Sequence, residues 1–368
     1  MFHAVILAGG SGKRFWPRSR VRRPKQLLCL TQRPHRGRTS APTLIQAAVA
    51  QLRGLFSLQR MLIVTNRAQV AATRSQLPGF PAENIIGEPE SRDSAAAIGL
   101  AAVMLRCRDP DAVMAVMPVD QQVRPRRRLH QALRLAANLA AENRLLVTFG
   151  VRPREPSVLF GYIERGVPLR VTTPLPFPVF RVARFWEKPN SARAACFVRS
   201  GRHYWNSGAF VWRADDILLA ISRHAPVLAA GLKRIESAMG HTRFNRALAR
   251  EYTSLPRISI DYAVMEKARN VVVVAVDYEW NDVGSWLALA RLCPQDAAGN
   301  TWQAEHVALD TQGCIVAAER GHLIAALGVQ NLIIVHTHDA TLVCDRARAA
   351  DVKVLVDLLA RRGYHQYL

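Results

Sequence analysis

Lysine is scarce in this chain. It occurs only at positions 13, 25, 188, 233, 267 and 353, so nearly all of the 50 basic side chains are arginine. Acidic residues are few as well, 28 against those 50, which leaves a formal charge of +22. The arginines are spread through nearly every segment, with one short cluster at Arg124 and Arg126 to Arg128. No basic helix face or interleaved aromatic run gathers them, so the excess reads as composition and not as a nucleic-acid surface. Long hydrophobic runs are missing too. The longest, residues 95–105, falls short of the ~20 residues a membrane helix needs, and no basic-then-apolar export signal is visible at the N-terminus. Six cysteines lie far apart without any C-x-x-C pair, which argues for reduced thiols in a cytoplasmic protein. What remains is globular: 368 residues, 49% hydrophobic and 21% charged, enough for one large α/β domain and an appendage.

The first half alternates short β-branched runs with helical patterns. Strands are expected at 4–7, 61–64, near 85, at 112–117 and 145–149, with helices at 44–52, 68–76, 94–106 and 128–142. Such alternation with short connections predicts right-handed βαβ units and a mostly parallel sheet covered on both faces. Prolines at 153, 156, 168, 174, 176 and 178 then punctuate extended segments. Strands are expected next at 180–186, 209–212 and 271–276, with helices at 215–223, 227–239, 260–268 and 287–292. After residue 295 the pattern changes to short strands at 306–309, 314–317, 322–327, 331–335 and 341–344, closed by a helix at 349–361. The expected division is therefore 1–295 and 296–368, the second part a small β domain, β-helix-like in its spacing.

The strongest motif follows the first strand: Leu7-Ala8-Gly9-Gly10-Ser11-Gly12-Lys13-Arg14-Phe15-Trp16-Pro17. Glycines and a serine let backbone N–H groups turn inward on phosphate oxygens, with Lys13 and Arg14 adding charge. It is neither of the two common phosphate loops. A Walker loop needs glycine at 7 and a hydroxyl at 14, and a dinucleotide fingerprint needs glycine at 15, where Phe15 stands. Pro24-Lys25-Gln26 follows and can bring a second cation. In a chain that uses arginine elsewhere, Lys13, Lys25 and Lys188 suggest a need for a compact ammonium.

Asp120 ends a buried apolar strand, and Asp282 follows another after Asp277. Carboxylates just past the ends of parallel strands face the ligand crevice of such sheets, and two hard oxygen donors suit Mg²⁺. The plainer reading of either one alone is a helix cap or a surface charge. Glu187-Lys188-Pro189 offers a hydroxyl acceptor and an ammonium, against the alternative of a solvated turn at a strand end. Asn206-Ser207-Gly208 offers hexose-binding amide and hydroxyl groups, against a simple turn before a strand. His336-x-His338 is expected to be a surface strand, since only Asp339 stands near to complete a metal set. Ser11 and Ser207 lack the partners of a hydrolase nucleophile, and Trp280 and Trp286 read as packing residues.

Taken together, these stretches resemble the GDP-mannose pyrophosphorylases (mannose-1-phosphate guanylyltransferases) of the sugar-nucleotidyltransferase superfamily. That family opens with L-A-G-G-S-G-T-R-L-W-P and a downstream P-K-Q. Family-like pieces continue in order through Glu88-Pro89, Met117-Pro118-Val119-Asp120, Gly161-Tyr162-Ile163-Glu164, Glu187-Lys188-Pro189, Trp205-Asn206-Ser207-Gly208, 259–266 and 280–286. The resemblance implies a Rossmann-like mixed sheet and transfer of GMP from GTP to mannose-1-phosphate, giving GDP-mannose and pyrophosphate. It implies Arg14, Lys25 and Lys188 as catalytic cations and Asp120 and Asp282 as holders of Mg²⁺. It implies a nucleotide site of Leu7, Ala8, Gly9, Gly10, Ser11, Gly12, Lys13, Glu88 and Pro89, with Glu88 by the guanine. The sugar pocket would be Gly161, Tyr162, Glu187 and Asn206. No nucleic-acid or membrane partner is implied, and there is room for a homodimer.

The chain departs from the family at several points. Lys13 stands for Thr, Gln121 for His, and Arg92-Asp93-Ser94-Ala95-Ala96 for R-N-T-A-P. Val158-Leu159-Phe160 stands for T-G-Y beside the sugar pocket, which bears on the identity of the sugar more than on the reaction. A sister enzyme for another hexose phosphate or base, and a non-catalytic sugar-nucleotide sensor, are the rival readings. The stretch after 295 is too short for an isomerase domain, so no mannose-6-phosphate isomerase activity is expected.

Overall fold

The computed structural model describes residues 1–30, 41–169 and 175–368; of the expected extended segments, the stretch at Pro174 lies outside the described residues. In chain order the elements are β1 (Phe2–Leu7), α1 (Leu44–Leu52), β2 (Met61–Asn66), α2 (Val70–Gln76), β3 (Ile85–Glu88) and α3 (Asp93–Arg108). Next come β4 (Val113–Pro118), β5 (Gln121–Arg124), α4 (Arg126–Asn143), β6 (Leu146–Val151), β7 (Tyr162–Pro168) and β8 (Val179–Trp186). They continue with α5 (Ser191–Ser200), β9 (His203–Arg213), α6 (Ala214–His224), α7 (Pro226–Glu236), α8 (Phe244–Thr253), β10 (Val271–Val276), β11 (Glu279–Asp282) and α9 (Leu289–Leu292). The C-terminal part holds β12 (Thr301–Gln303), β13 (Glu305–Leu309), β14 (Ile315–Ala317), β15 (Leu323–Leu327), β16 (Leu332–His336), β17 (Thr341–Asp345) and α10 (Val352–Arg361).

Nine strands form one sheet in the order β3-β2-β1-β4-β9-β6-β10-β8-β7. Strands β1 to β4, β6 and β10 run parallel, while β8 and β9 run against them. The central strands are buried along their whole length, as β10 with its run of Val271 to Val274 shows. A strand covered on both faces needs no polar alternation. One face is covered by α4, whose Leu129, Ala132, Leu133, Ala136 and Ala140 repeat at helical spacing. The other is covered by α3, alanine-rich and buried nearly all round because α6 and α7 pack on its outer side.

The C-terminal strands stack in parallel rungs, β12-β14-β16 in one sheet and β13-β15 in another, with β17 closing antiparallel. This is the β-helix-like coil that the spacing predicts. Its core is continuous with the segment after β1: Ile315, Ile333, Val335, Leu342 and Val356 pack with Phe15, Trp16, Leu28 and Trp286.

Three expectations need correction. Residues 260–268 do not form an α-helix; a wide π turn spans Asp261–Met265, with the Glu266 N–H donating to the Asp261 carbonyl at 3.0 Å. The strand expected at 209–212 is longer: β9 starts at His203, so the Asn206 segment lies inside it, with a register shift opposite Thr148 and Gly150. Helices α5 and α8 have no counterpart among the expected elements, although Asn190 caps the first and left-handed Gly201 ends it.

Candidate active site

The site forms where β1, β3, β4 and β6 end, and each wall follows from a pairing register. Leu7 and Ala8 anchor the glycine loop in the sheet: Val119 N–H donates to the Leu7 carbonyl at 3.1 Å, and Ala8 N–H to the Val64 carbonyl at 2.7 Å. Their backbones are thus occupied. The N–H groups of Gly9, Gly10, Ser11 and Gly12, by contrast, donate to no acceptor among the described residues. A row of such amides is a ready anion cradle. Gly12 takes φ +66, and a Cβ there would overlap the Lys25 Cβ, so the tight turn is what lets the Pro24-Lys25-Gln26 segment approach the loop.

The two aspartates meet across a ribbon. β5 and β11 pair antiparallel with Gln121 opposite Asp282, and the Val283 N–H donates to the Asp120 carbonyl at 2.9 Å. Asp120 forms an ion pair with Lys25. Asp282 is pushed up to about 7 by burial first and by the charge of Asp120 second, while Lys25 and Arg14 pull the other way. Lys25 and Arg14 therefore bring positive charge to the pair. No protein donor is hydrogen-bonded to the Asp282 carboxylate among the described residues, and the donor set, two carboxylates at adjacent strand ends, fits a hard divalent cation.

Glu88 ends β3 beside the loop. Its Oε2 lies 2.6 Å from where a Cβ on Gly9 would sit, and Oε1 accepts a hydrogen bond from the Tyr252 hydroxyl. Burial pushes its carboxyl up to about 7, and the Tyr252 hydroxyl opposes that shift.

At the far wall, Trp186 pairs with Tyr162, and Tyr162 with Trp205. One residue further along these antiparallel pairings lie Glu187, Gly161 and Asn206, side by side, with Asn206 N–H donating to the Gly161 carbonyl at 2.8 Å. Lys188 lies 2.9 Å from Glu187 as an ion pair and is more than half exposed.

Two of the expected site residues direct their side chains elsewhere. The Lys13 ammonium points to the C-terminal part, where it pairs with Asp357 of α10 at 2.6 Å. Tyr162 is fully buried, its ring against Phe197 at 5.3 Å and its hydroxyl accepting from Ser157 N–H at 2.9 Å. The alternation of a strand explains this: Gly161 fronts the pocket, so the neighbouring side chain turns into the core. Sequence reasoning missed Asp261 and Tyr252. Asp261 lies within 259–266, a stretch that carries the family resemblance without marking any one residue in it. His336 stacks on His322 with ring centroids 3.5 Å apart, and β16 ends before His338.

A glycine loop with unclaimed amides, cations facing a carboxylate pair, and a far wall bearing the Glu187 carboxylate and the Asn206 amide, on an open α/β sheet, define a nucleotide-handling transferase. A family model described as nucleotidyl transferase matches residues 3–299, and one described as a mannose-phosphate isomerase/GMP-like β-helix domain matches 304–359. A mannose-1-phosphate guanylyltransferase of Klebsiella pneumoniae is 38% identical over all of this chain and 76% of its own length. One from Escherichia coli gives the same identity and shares. A crystal structure described as mannose-1-phosphate geranyltransferase from Thermus thermophilus superposes with a TM-score of 0.83 at 34% identity, covering 98% of this chain and 99% of that one. The chain belongs to the nucleotidyl transferase family and, within it, to the mannose-1-phosphate guanylyltransferases.

Proposed function

We propose that this chain joins GTP and mannose-1-phosphate to give GDP-mannose and pyrophosphate. The observation that carries the reading is the Asp120–Asp282 pair facing Lys25 and Arg14 beside the unclaimed amides of the glycine loop. An oxygen of the sugar phosphate forms a bond to the α-phosphorus of GTP. The bond from that phosphorus to the bridging oxygen breaks, and the electron pair leaves with pyrophosphate. No general base is needed, because the attacking oxygen is already ionised.

Catalysis then rests on positioning and charge. The amides of Gly9 to Gly12 hold phosphate oxygens, Arg14 and Lys25 offset the charge of the triphosphate and the departing pyrophosphate, and Lys188 holds the sugar phosphate. Glu88 accepts from guanine, while Gly161, Glu187 and Asn206 receive the hexose. Asp120 and Asp282 would hold Mg²⁺, which when bound supplies charge neutralisation at the phosphates. We further place the division between the two parts at 295/296, and the molecule in the cytoplasm as a homodimer. No helix among the described residues is long and apolar enough to cross a membrane. The test is a matrix of GTP, ATP, UTP and dTTP against hexose-1-phosphates with pyrophosphate detection. Turnover confined to another base or sugar would move the chain to a sister activity, and none at all would favour a sugar-nucleotide sensor.

A further inference from the structure

Asp261 is a carboxylic acid with no assigned task, held against the sugar wall from below. The first residue of the π turn, it is fixed by α3: Ala95 N–H donates to the Ile258 carbonyl at 3.2 Å, and the Ser94 hydroxyl accepts from Ile260 N–H at 2.9 Å. Its Oδ1 accepts from Asn206 Nδ2 at 2.8 Å. The Asn206 Oδ1 accepts from the Thr148 hydroxyl and from Gly208 N–H, both at 3.2 Å. A backbone N–H can only donate, so the Gly208 contact settles which end of the amide is oxygen. Of the two Nδ2 hydrogens, one is taken by Asp261. The second has no protein acceptor among the described residues.

The charges around Asp261 are unbalanced. Glu187 and Lys188 face it from the end of β8; Tyr262 and Glu266 share its own turn, with Lys267 next in sequence. Lys188 is already paired with Glu187. From β9 only the neutral Asn206 amide reaches it. Two carboxyls thus border the same amide, and a neutral ligand with several hydroxyls can donate to both.

We propose that Asp261 is the positioning residue of the sugar pocket, fixing the Asn206 amide so that one Nδ2 proton is left for a hexose hydroxyl and setting a second carboxylate opposite Glu187. The proposal rests on Gly161, Glu187 and Asn206 being the hexose wall. A hexose phosphate is the class of ligand it selects, through the number and placement of donating hydroxyls.

Burial, then the Glu187 charge, pushes the Asp261 carboxyl up to about 7, while its bond to Asn206 opposes this. Hydroxyl donation favours the ionised form, so sugar-phosphate affinity gains as pH rises through that value. Asp282, Glu88 and the substrate phosphate ionise in the same region, so the reading is the difference between wild type and variant. The experiment compares wild type with Asp261→Asn from pH 5.5 to 8.5, varying mannose-1-phosphate and GTP separately. Expected are a sugar-phosphate KM raised at least ~10-fold, kcat and the KM for GTP changed less than about threefold, and a flattened pH dependence of the sugar term.

A purely structural role would lower kcat and raise both KM values together, with the wild-type pH profile, and that result overturns the proposal. So does a sugar-phosphate KM within about twofold of wild type. Should the Asn variant not fold, Asp261→Glu, which keeps a titrating carboxyl but moves it, is read by the KM and kcat criteria alone. The pair itself is read without substrate: the Asn206 side-chain amide resonances of the free enzyme should titrate near pH 7 and lose that step in the variant. If wild type turns over no hexose phosphate, the functional reading fails, while this titration still decides whether Asp261 controls Asn206.

Discussion

The two walls of the crevice are both acidic, and they handle their acidity differently. At the proposed nucleotide end, Asp120 and Asp282 stand opposite Lys25 and Arg14, and the Asp282 carboxylate has no hydrogen-bond donor among the described residues. At the proposed sugar end, Asp261 is tied into a chain of directed hydrogen bonds through Asn206, Thr148 and Gly208, while Glu187 is paired with Lys188. An arrangement of point charges with an unsatisfied carboxylate suits ions and phosphates, which demand charge more than direction. A directed chain of donors and acceptors suits hydroxyls, which differ between sugars only in position. The contrast separates rate from selectivity: the first wall should govern kcat, the second the KM for one substrate.

The sharpest way to break that contrast is at the carboxylate pair. Asp120→Asn and Asp282→Asn should each lower kcat at least ~100-fold, the scale of several kcal/mol of lost charge stabilisation. The double variant should be little worse than either, because residues that act as a unit are not additive. An Asp282→Asn enzyme with near-normal kcat would remove the rate-governing role from this wall. Next in size is base choice. On the proposed reading Glu88, held by the Tyr252 hydroxyl, accepts from guanine N–H groups, so Glu88→Gln should cut the kcat/KM preference for GTP over ATP at least ~10-fold. Equal kcat/KM for the two nucleotides in wild type would refute the guanine assignment outright.

A smaller effect concerns stability in the absence of ligands. Burial pushes Glu88, Asp261 and Asp282 up to about 7. A raised carboxyl keeps its proton in the folded state after the unfolded chain has lost it. Its stabilisation is therefore full below the unfolded value and is lost as pH rises through the folded one. The thermal midpoint should carry a falling component between about pH 4 and pH 7, and Asp282→Asn should make that component shallower. His3, His203 and His224, held down by burial, act in the opposite direction, so thermal scans of wild type and variant are compared pH by pH. A midpoint difference that does not change with pH would contradict the assigned burial. Smallest of all is the Lys13–Asp357 bridge, where both side chains are about half exposed. Exposed pairs contribute little, and Lys13→Thr should change kcat and the KM for GTP less than about threefold; a larger loss would return Lys13 to the triphosphate.

How much of this was legible beforehand follows the same division. The buried strands, 271–276 among them, and the amphipathic α4 were readable because period and composition fix them locally. Asp120 and Asp282 were legible as strand-end carboxylates, but the β5–β11 ribbon that joins them is a pairing across more than 150 residues with no local signature. Asp261 stayed hidden because 260–268 has helical periodicity, and only tertiary contact with Asn206 and α3 accompanies the wider turn seen there. The burial of the Tyr162 side chain was not legible from adjacency to Gly161: a motif gives consecutive letters, while a strand sends consecutive side chains to opposite faces. Lys13 illustrates the converse, a loop residue whose partner lies in a C-terminal helix that no motif links to it.

The most direct measurement is pyrophosphate release by the wild-type enzyme and by Asp282→Asn, with GTP, mannose-1-phosphate and MgCl₂ together and with each left out in turn. Release should require all three components in wild type and fall at least ~100-fold in the variant. Release of equal rate in the variant, or release from GTP and MgCl₂ without any sugar phosphate, would contradict the account.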